Sequence, residues 1–255
     1  MPTIQLYLDN TSRFCADSRV TGVTSDHDGV NVTLNQTVFY PQGGGQPSDT
    51  GFIELDGTKL PVVFVKLLDG EICHYLEGIS MSDIEVGAEV RMTVDAERGE
   101  RNAKYHSAGH LISHIFESIN PNMLPAKGHH YPDGAYIEML DEARQGSAEM
   151  MPEANRLVRE AIANELDFET KLVSFETVEK IRPYLAQFIP RGEQIRTLTI
   201  GQFDPVPCGG THVKNSSELV GLEIRRIKRK KNYLKVIFLL NVVVVAILNL
   251  LVELD

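Results

Sequence analysis

Hydrophobic and polar positions change their rhythm once along this chain. Over the first hundred residues apolar side chains alternate, as in Val30, Val32, Leu34 and Val90, Met92, Val94, with Gly and Asp between the runs. A period of two predicts strands with one buried face, and several short ones imply a small barrel or sandwich. Between them, residues 37–51 read Thr-Val-Phe-Tyr-Pro-Gln-Gly-Gly-Gly-Gln-Pro-Ser-Asp-Thr-Gly. Three consecutive glycines preclude regular helix and let the backbone approach a ligand closely, so this segment is expected to be a loop. Beyond Arg98 the period lengthens: Ala103, His106, His110, Ile115 and Ile119 fall three to five apart, and Leu111 and Phe116 widen the same face. That is the pattern of an amphipathic helix. The change of rhythm puts a boundary near Asp95, giving expected domains at 1–95 and 96–235. Pro152 opens a second helix carrying Leu157, Val158, Ala161, Ile162 and Leu166 and ending near Asp167. A short strand over 171–175, a short helix over 176–184 and a strand over 194–200 follow, the last running toward Cys208-Gly-Gly-Thr-His212. The expected fold class is α+β, β-rich at the amino end and mixed after it.

Residues 236–252 are apolar except for Asn241 and Asn249. As a helix they would span about 25 Å, short of a hydrocarbon core of about 30 Å. Four β-branched residues in a row, Val242 to Val245, suit a sheet better than a helix. The 236–255 tail is therefore left open between one or two buried strands, a membrane anchor and an abnormal C-terminus of the gene model. The chain carries 25 basic and 35 acidic residues, net −10, which excludes uniform attraction to a polyanion. Any basic site must be local. From Lys214 to Lys235 there are eight basic and two acidic residues, net +6, leaving −16 elsewhere. Arg225, Arg226, Lys228, Arg229, Lys230 and Lys231 are thus the expected nucleic-acid-binding stripe, gaining affinity by counterion release. The alternatives are a solvated strand and turn, or the flank of a membrane anchor. Three scattered cysteines, Cys15, Cys73 and Cys208, make no disulfide framework and fit a reducing compartment. No basic segment followed by an apolar run opens the chain, so no secretory signal is expected and the cytoplasm is the expected location.

His106-Ser-Ala-Gly-His110 sets two imidazoles four apart on one helix face, close enough to share a metal ion. Cys208 and His212 repeat that spacing around Gly209-Gly210-Thr211, a tight loop able to turn a thiolate and an imidazole to one point. A soft thiolate with three imidazoles is a tetrahedral zinc set, so His106, His110, Cys208 and His212 are the expected ligands of Zn2+. His114 continues the helix but drifts around it, and is expected to be a helix-face residue. His129 and His130 occupy the turn-rich run Lys127-Gly-His-His-Tyr-Pro-Asp-Gly134, where they line a pocket or decorate a loop. His27 and His74 are read as solvated. There is no G-x-S-x-G elbow and no G-x-x-x-x-G-K-[ST] loop, and Gly43-Gly-Gly-Gln-Pro-Ser48 lacks the third glycine of a dinucleotide fingerprint. No nucleotide cofactor is expected.

Taken together these motifs resemble the free-standing alanyl-tRNA editing proteins, the AlaX family, which are related to the editing domain of alanyl-tRNA synthetase. The resemblance covers roughly residues 1–235 and rests on H-x-x-x-H at His106 and His110 and on Pro207-Cys-Gly-Gly-Thr-His-Val213. Gly43-Gly-Gly-Gln-Pro-Ser-Asp49 resembles the glycine motif of the medium-length members. It implies an amino-terminal small β-barrel domain, an α+β zinc editing domain, mischarged alanine tRNA as partner, and hydrolysis of the ester to serine or glycine. Such editing answers a limit of recognition, because a pocket for alanine rejects glycine weakly and tolerates serine. By the same resemblance Thr37 would read the seryl hydroxyl; Gln46, which offers both donor and acceptor, and the Gly43, Gly44 and Gly45 backbone amides are candidates for the aminoacyl end or terminal adenosine, and His130 for the pocket lining. Four protein ligands close a tetrahedral site, whereas a catalytic zinc normally keeps an open position. The alternative reading is therefore a non-catalytic, zinc-stabilised tRNA-binding module, tethered to a membrane if the tail is an anchor.

Overall fold

Every second side chain of the early strands turns inward, and the inward rows close on themselves. The computed structural model describes residues 2–192 and 194–241. β1 (Ile4–Gln5) and the one-turn α1 (Leu6–Asp9) precede β2 (Cys15–Asp26), β3 (Gly29–Leu34) and the two-residue β4 (Gln36–Thr37), which pairs with β1. β5 (Gly51–Leu55), β6 (Thr58–Leu68), β7 (Glu71–Leu76) and β8 (Glu89–Val94) follow. Six of these form a closed barrel in the order β2-β3-β7-β6-β5-β8, so a barrel, not a sandwich, is found. Val20, Val32, Leu34, Ile53, Val62, Val65 and Met92 fill it. Closure needs bent strands, and register shifts at Val20/Gly22 and Val62/Phe64 supply the bends. The segment after β4 runs as a loop to β5, as its glycines predict.

α2 (Ala96–Ile119) begins directly after β8, with the Asp95 carboxylate accepting from Arg98 N at 3.1 Å as its cap. It is not the one-faced helix expected. Ala103, Tyr105, His106, Ser107, Ala108, Leu111, Ile112, Ile115 and Phe116 are all buried, because the helix is enclosed on several sides and has no broad solvated face. β9 (Leu124–His129), β10 (Tyr136–Leu140) and α3 (Met151–Ala163) come next. α3 starts at its proline as expected but stops before Asp167, where Glu165 adopts φ 49° and reverses the chain. β11 (Phe168–Val173) leads to α4 (Phe175–Ile181), which ends at Arg182 because Pro183 disfavours helical backbone in the residue before it; α5 (Pro183–Ala186) is a separate turn. β12 (Ile195–Ile200), β13 (Val206–Pro207), β14 (Leu222–Lys230) and β15 (Tyr233–Leu240) complete the described chain.

The later strands form two sheets, β14-β15-β10-β9 and β11-β12-β13. Leu111, Ile112, Ile115 and Phe116 of α2 pack with Ile137 and Met139 of β10, Val158 of α3, Leu198 of β12 and Val236 of β15 in one core. The architecture is mixed α+β. Of the apolar tail, Val236 to Leu240 belongs to β15; residues 242–255 lie outside the described residues. Among the described residues no helix is long and apolar enough to cross a membrane.

Candidate functional site

Three separate stretches of chain meet where the barrel loop touches α2. The helix brings His106 and His110 to one face, one turn apart. The second pair arrives on the loop after β13, which Arg196 of β12 holds: its guanidinium donates to the Cys208 and Gly210 carbonyls, both at 2.9 Å, while Cys208 N donates back to Arg196 O at 3.0 Å. Gly210 is required there, since a Cβ would lie 2.0 Å from His106 Cε1. From the barrel side comes Gln46. Its Oε1 accepts from His106 Nδ1 at 2.7 Å and from Thr211 N at 3.3 Å, and its Nε2 donates to Thr211 Oγ1 at 2.8 Å. Because Oε1 is an acceptor, His106 carries its proton on Nδ1 and turns the Nε2 lone pair inward. Ser107 Oγ lies 3.3 Å from His212 Nδ1 and accepts from Val213 N at 3.0 Å.

The donor atoms of His106, His110, Cys208 and His212 all lie within 4.8 Å of one another. His106 Nε2 is 3.2 Å from His110 Nε2 and 3.6 Å from Cys208 Sγ, and His212 Nε2 is 3.2 Å from the same sulfur. A tetrahedron built from usual Zn–N and Zn–S lengths has edges of about 3.3 Å between nitrogens and about 3.6 Å from nitrogen to sulfur. The side chains therefore fit a zinc ion. Burial keeps the imidazoles neutral, the form that ligates: it pulls His212 down to about 3, and holds His106 and His110 well below the ordinary histidine value with help from neighbouring imidazoles. Burial pushes the Cys208 thiol up to about 11, against the Gly210 N–H and Arg196. Ligands of this kind depend on partners behind them. Replacing Gln46 by Ala is expected to weaken zinc binding roughly 10–100-fold while leaving the barrel folded, measurable by competition with a chromophoric chelator.

His106, His110 and Cys208 open onto a cavity of about 430 Å³, also lined by Tyr40, Gly43, Gly44 and His130. A side chain at Gly44 would stand in it, its Cβ 4.0 Å from His106 Cε1. His130 is 4% exposed, stacks on His106 with centroids 4.5 Å apart, and donates from its backbone N–H to Gly45 O at 2.8 Å. Its ring fits only because Gly109 and Gly128 lack a Cβ, which would fall 2.2 Å from it in either case.

Three expected substrate contacts are placed differently. Gln46 is 0% exposed and stands behind the ligands, not on the cavity wall. Thr37 is also fully buried and absent from the wall. Its hydroxyl meets His74 Nε2 at 2.8 Å and accepts from Phe39 N at 3.0 Å. His74 is not solvated as expected, but wholly inside the barrel, its Nδ1 3.1 Å from Val32 O. Burial lowers its pKa to about 4, so the ring is neutral. Gly45 lies behind the wall, against Gly128. His114 stacks on Phe203 at 4.9 Å and lies 3.3 Å from Glu117, which pairs with Arg182 at 2.6 Å.

Residues 9–98 match the family described as tRNA synthetases class II (A). The alanyl-tRNA editing protein AlaX-M of Methanosarcina barkeri is 30% identical over 207 residues, 78% of this chain and 84% of that protein. This chain belongs to the AlaX family. The AlaX-L protein of Pyrococcus horikoshii is 30% identical over 87% of this chain and 54% of its own length. The alanine–tRNA ligase of Archaeoglobus fulgidus is 30% identical over 89% of this chain and 24% of its own.

In this AlaX member the basic stripe is divided by the strand alternation of β14. Arg226, Lys228 and Lys230 point outward and are exposed, while Arg229 turns inward, where it pairs with Asp141 and the Gly146 carbonyl. Arg229 is thus a structural residue, contrary to expectation. Arg225 sits at a bulge beside Glu223, 2.9 Å away, and Lys231 is in the turn to β15.

Proposed function

We propose that this chain hydrolyses the ester linking serine or glycine to mischarged alanine tRNA, releasing the amino acid and reusable tRNA. Family membership supports an aminoacyl-tRNA deacylase. The observation that carries the reading is that three of the four residues suited to zinc open onto a cavity of about 430 Å³, within the size range of small-molecule sites. A purely structural metal cluster has no need of one. When bound by His106, His110, Cys208 and His212, zinc supplies Lewis acidity that polarises an ester carbonyl and acidifies water. The remaining work belongs to the chain. Gln46 holds His106 in one tautomer and one orientation, and is a positioning residue. Tyr40 donates to the Gly43 carbonyl at 3.0 Å and so fixes the glycine wall against which the aminoacyl end lies. His130 closes the opposite side, keeping water from the ester except beside the ligands.

Thr37 acts through the barrel, holding the start of the glycine loop at Phe39 N and satisfying His74. Thr37→Val is then expected to lower stability by about 1–3 kcal/mol by leaving His74 Nε2 unpaired, and to reduce serine and glycine release alike. Selective loss of serine release would restore a direct hydroxyl contact. The function itself is tested by deacylation of seryl-, glycyl- and alanyl-tRNA bearing the alanine acceptor stem. Release of serine or glycine with alanine spared is the expected result. Binding of tRNA with full zinc content and no release would leave the non-catalytic module.

A further inference from the structure

The four-stranded sheet has two unlike faces. Its inner face, with Ile137, Met139, Ile227, Leu234 and Val236, is buried against α2 and α3. The register of the other face sets basic and aromatic side chains side by side. Lys228 of β14 stands opposite Lys235 of β15, which stands opposite Glu138 of β10, which stands opposite Lys127 of β9. The next row runs from Arg226 through Ile237 and Tyr136 to His129. His129 stacks on Tyr131 at 4.5 Å and on Tyr136 at 5.0 Å, and Lys235 Nζ lies 3.3 Å from the Tyr136 centroid.

One pair on this face costs the fold something. Lys228 and Lys235 are like charges directly across adjacent strands, an arrangement that destabilises a sheet. Lys127, Arg226, Lys228, Lys230 and Lys235 face Glu138 and Glu223 alone, and Glu223 is paired with Arg225, all in a chain of net charge −10. A polyanion would turn that cost into affinity. The position of the face is informative too. β9 is the sheet edge beside the cavity, and Lys127 belongs both to the outer row and to the cavity lining. Strand alternation sends His130 into the cavity wall and its neighbour His129 onto the outer face.

We propose that the outer face of β9, β10, β15 and β14 carries the single-stranded 3′ end of the tRNA on its way to the cavity. Bases stack on the His129, Tyr131 and Tyr136 cluster, and phosphates follow Lys127, Lys235 and Lys228. Three interstrand steps measure about 14 Å, the length of roughly four stacked nucleotides. Stacking platforms flanked by cations are how sheets take up single strands without duplex geometry. This rests on the reading of the cavity as an aminoacyl-tRNA site.

The test uses the full chain and an uncharged alanine acceptor minihelix, with and without its four-nucleotide single-stranded end, by fluorescence anisotropy. The overhang helix is expected to bind more tightly than the blunt one. Tyr136→Ala should weaken the overhang helix about tenfold and spare the blunt helix, and Tyr136→Phe should restore binding. Should Tyr136→Ala fail to fold, Lys228→Gln at an exposed position carries the test: it should weaken binding and reduce the salt slope by about one. Equal binding of the two helices, equal loss on both with Tyr136→Ala, or an unchanged affinity and slope with Lys228→Gln would overturn the proposal. Hydrolysis of seryl-tRNA by the unaltered chain, measured alongside, separates the two readings. Hydrolysis with sheet variants that bind like the parent sinks the platform alone, whereas no hydrolysis sinks the enzymatic reading and, with it, the path into the cavity.

Discussion

Cys208→Ala is expected to take the chain from about one bound zinc to nearly none and to lower seryl-tRNA deacylation by roughly a hundredfold or more. Removing even an outer partner of a metal ligand costs about 10–100-fold, and a first ligand should cost at least as much. Cys208 is the lone sulfur of the four, and its Sγ lies 3.2 Å from His212 Nε2 and 3.6 Å from His106 Nε2. Without it three neutral imidazoles remain, with no anionic ligand to offset the ion's charge. Metal analysis after gel filtration, paired with the deacylation assay, checks both halves. Full zinc retention would show that the three histidines suffice and would remove Cys208 from the ligand set; a metal-replete variant without activity would assign it a role at the substrate.

Gly45→Ala should be the most damaging single methyl in the barrel loop, costing about 2–4 kcal/mol of stability and most of the activity. Gly45 has φ +80°, and an added Cβ would lie 2.3 Å from the Gly128 carbonyl oxygen and 2.8 Å from its carbon. Those are backbone atoms of β9, so no rotamer relieves the clash. The same residue accepts the His130 backbone N–H, so the move that relieves the overlap also releases the ring stacked on His106. Gly57→Ala is the control. It shares the backbone strain at φ +79° but has nothing within 4 Å of the new carbon, and should cost only about 1 kcal/mol. Thermal melts of the two variants compare them directly, and equal losses would show that strain, not the contact with β9, decides the outcome.

Much of this site is local and therefore readable. His106 and His110 share a helix face because of the 3.6-residue turn, and Cys208 and His212 share a loop because glycines bend it; neither pairing needs knowledge of the rest of the chain. The barrel strands announce themselves through their period of two, although only the structure shows that they close. α2 is less legible. Its periodic face was visible, but a helix enclosed on several sides hides its other apolar positions behind glycine, alanine and serine.

What the sequence determined by itself is the two local pairs, His106 with His110 and Cys208 with His212, the strand-rich first half and the basic run near the end, since each is a property of spacing or composition over a few residues. Which side chains stand behind or beside the site was decided by tertiary structure alone. Gln46 reaches Thr211 across 165 positions and His106 across 60. Thr37 finds His74 across the barrel, and Asp141 takes Arg229 out of the basic stripe. A hydrogen bond between distant residues leaves no periodic trace, because its partners are neighbours only after the chain has folded, and burial then fixes which of their atoms are still free to meet a substrate.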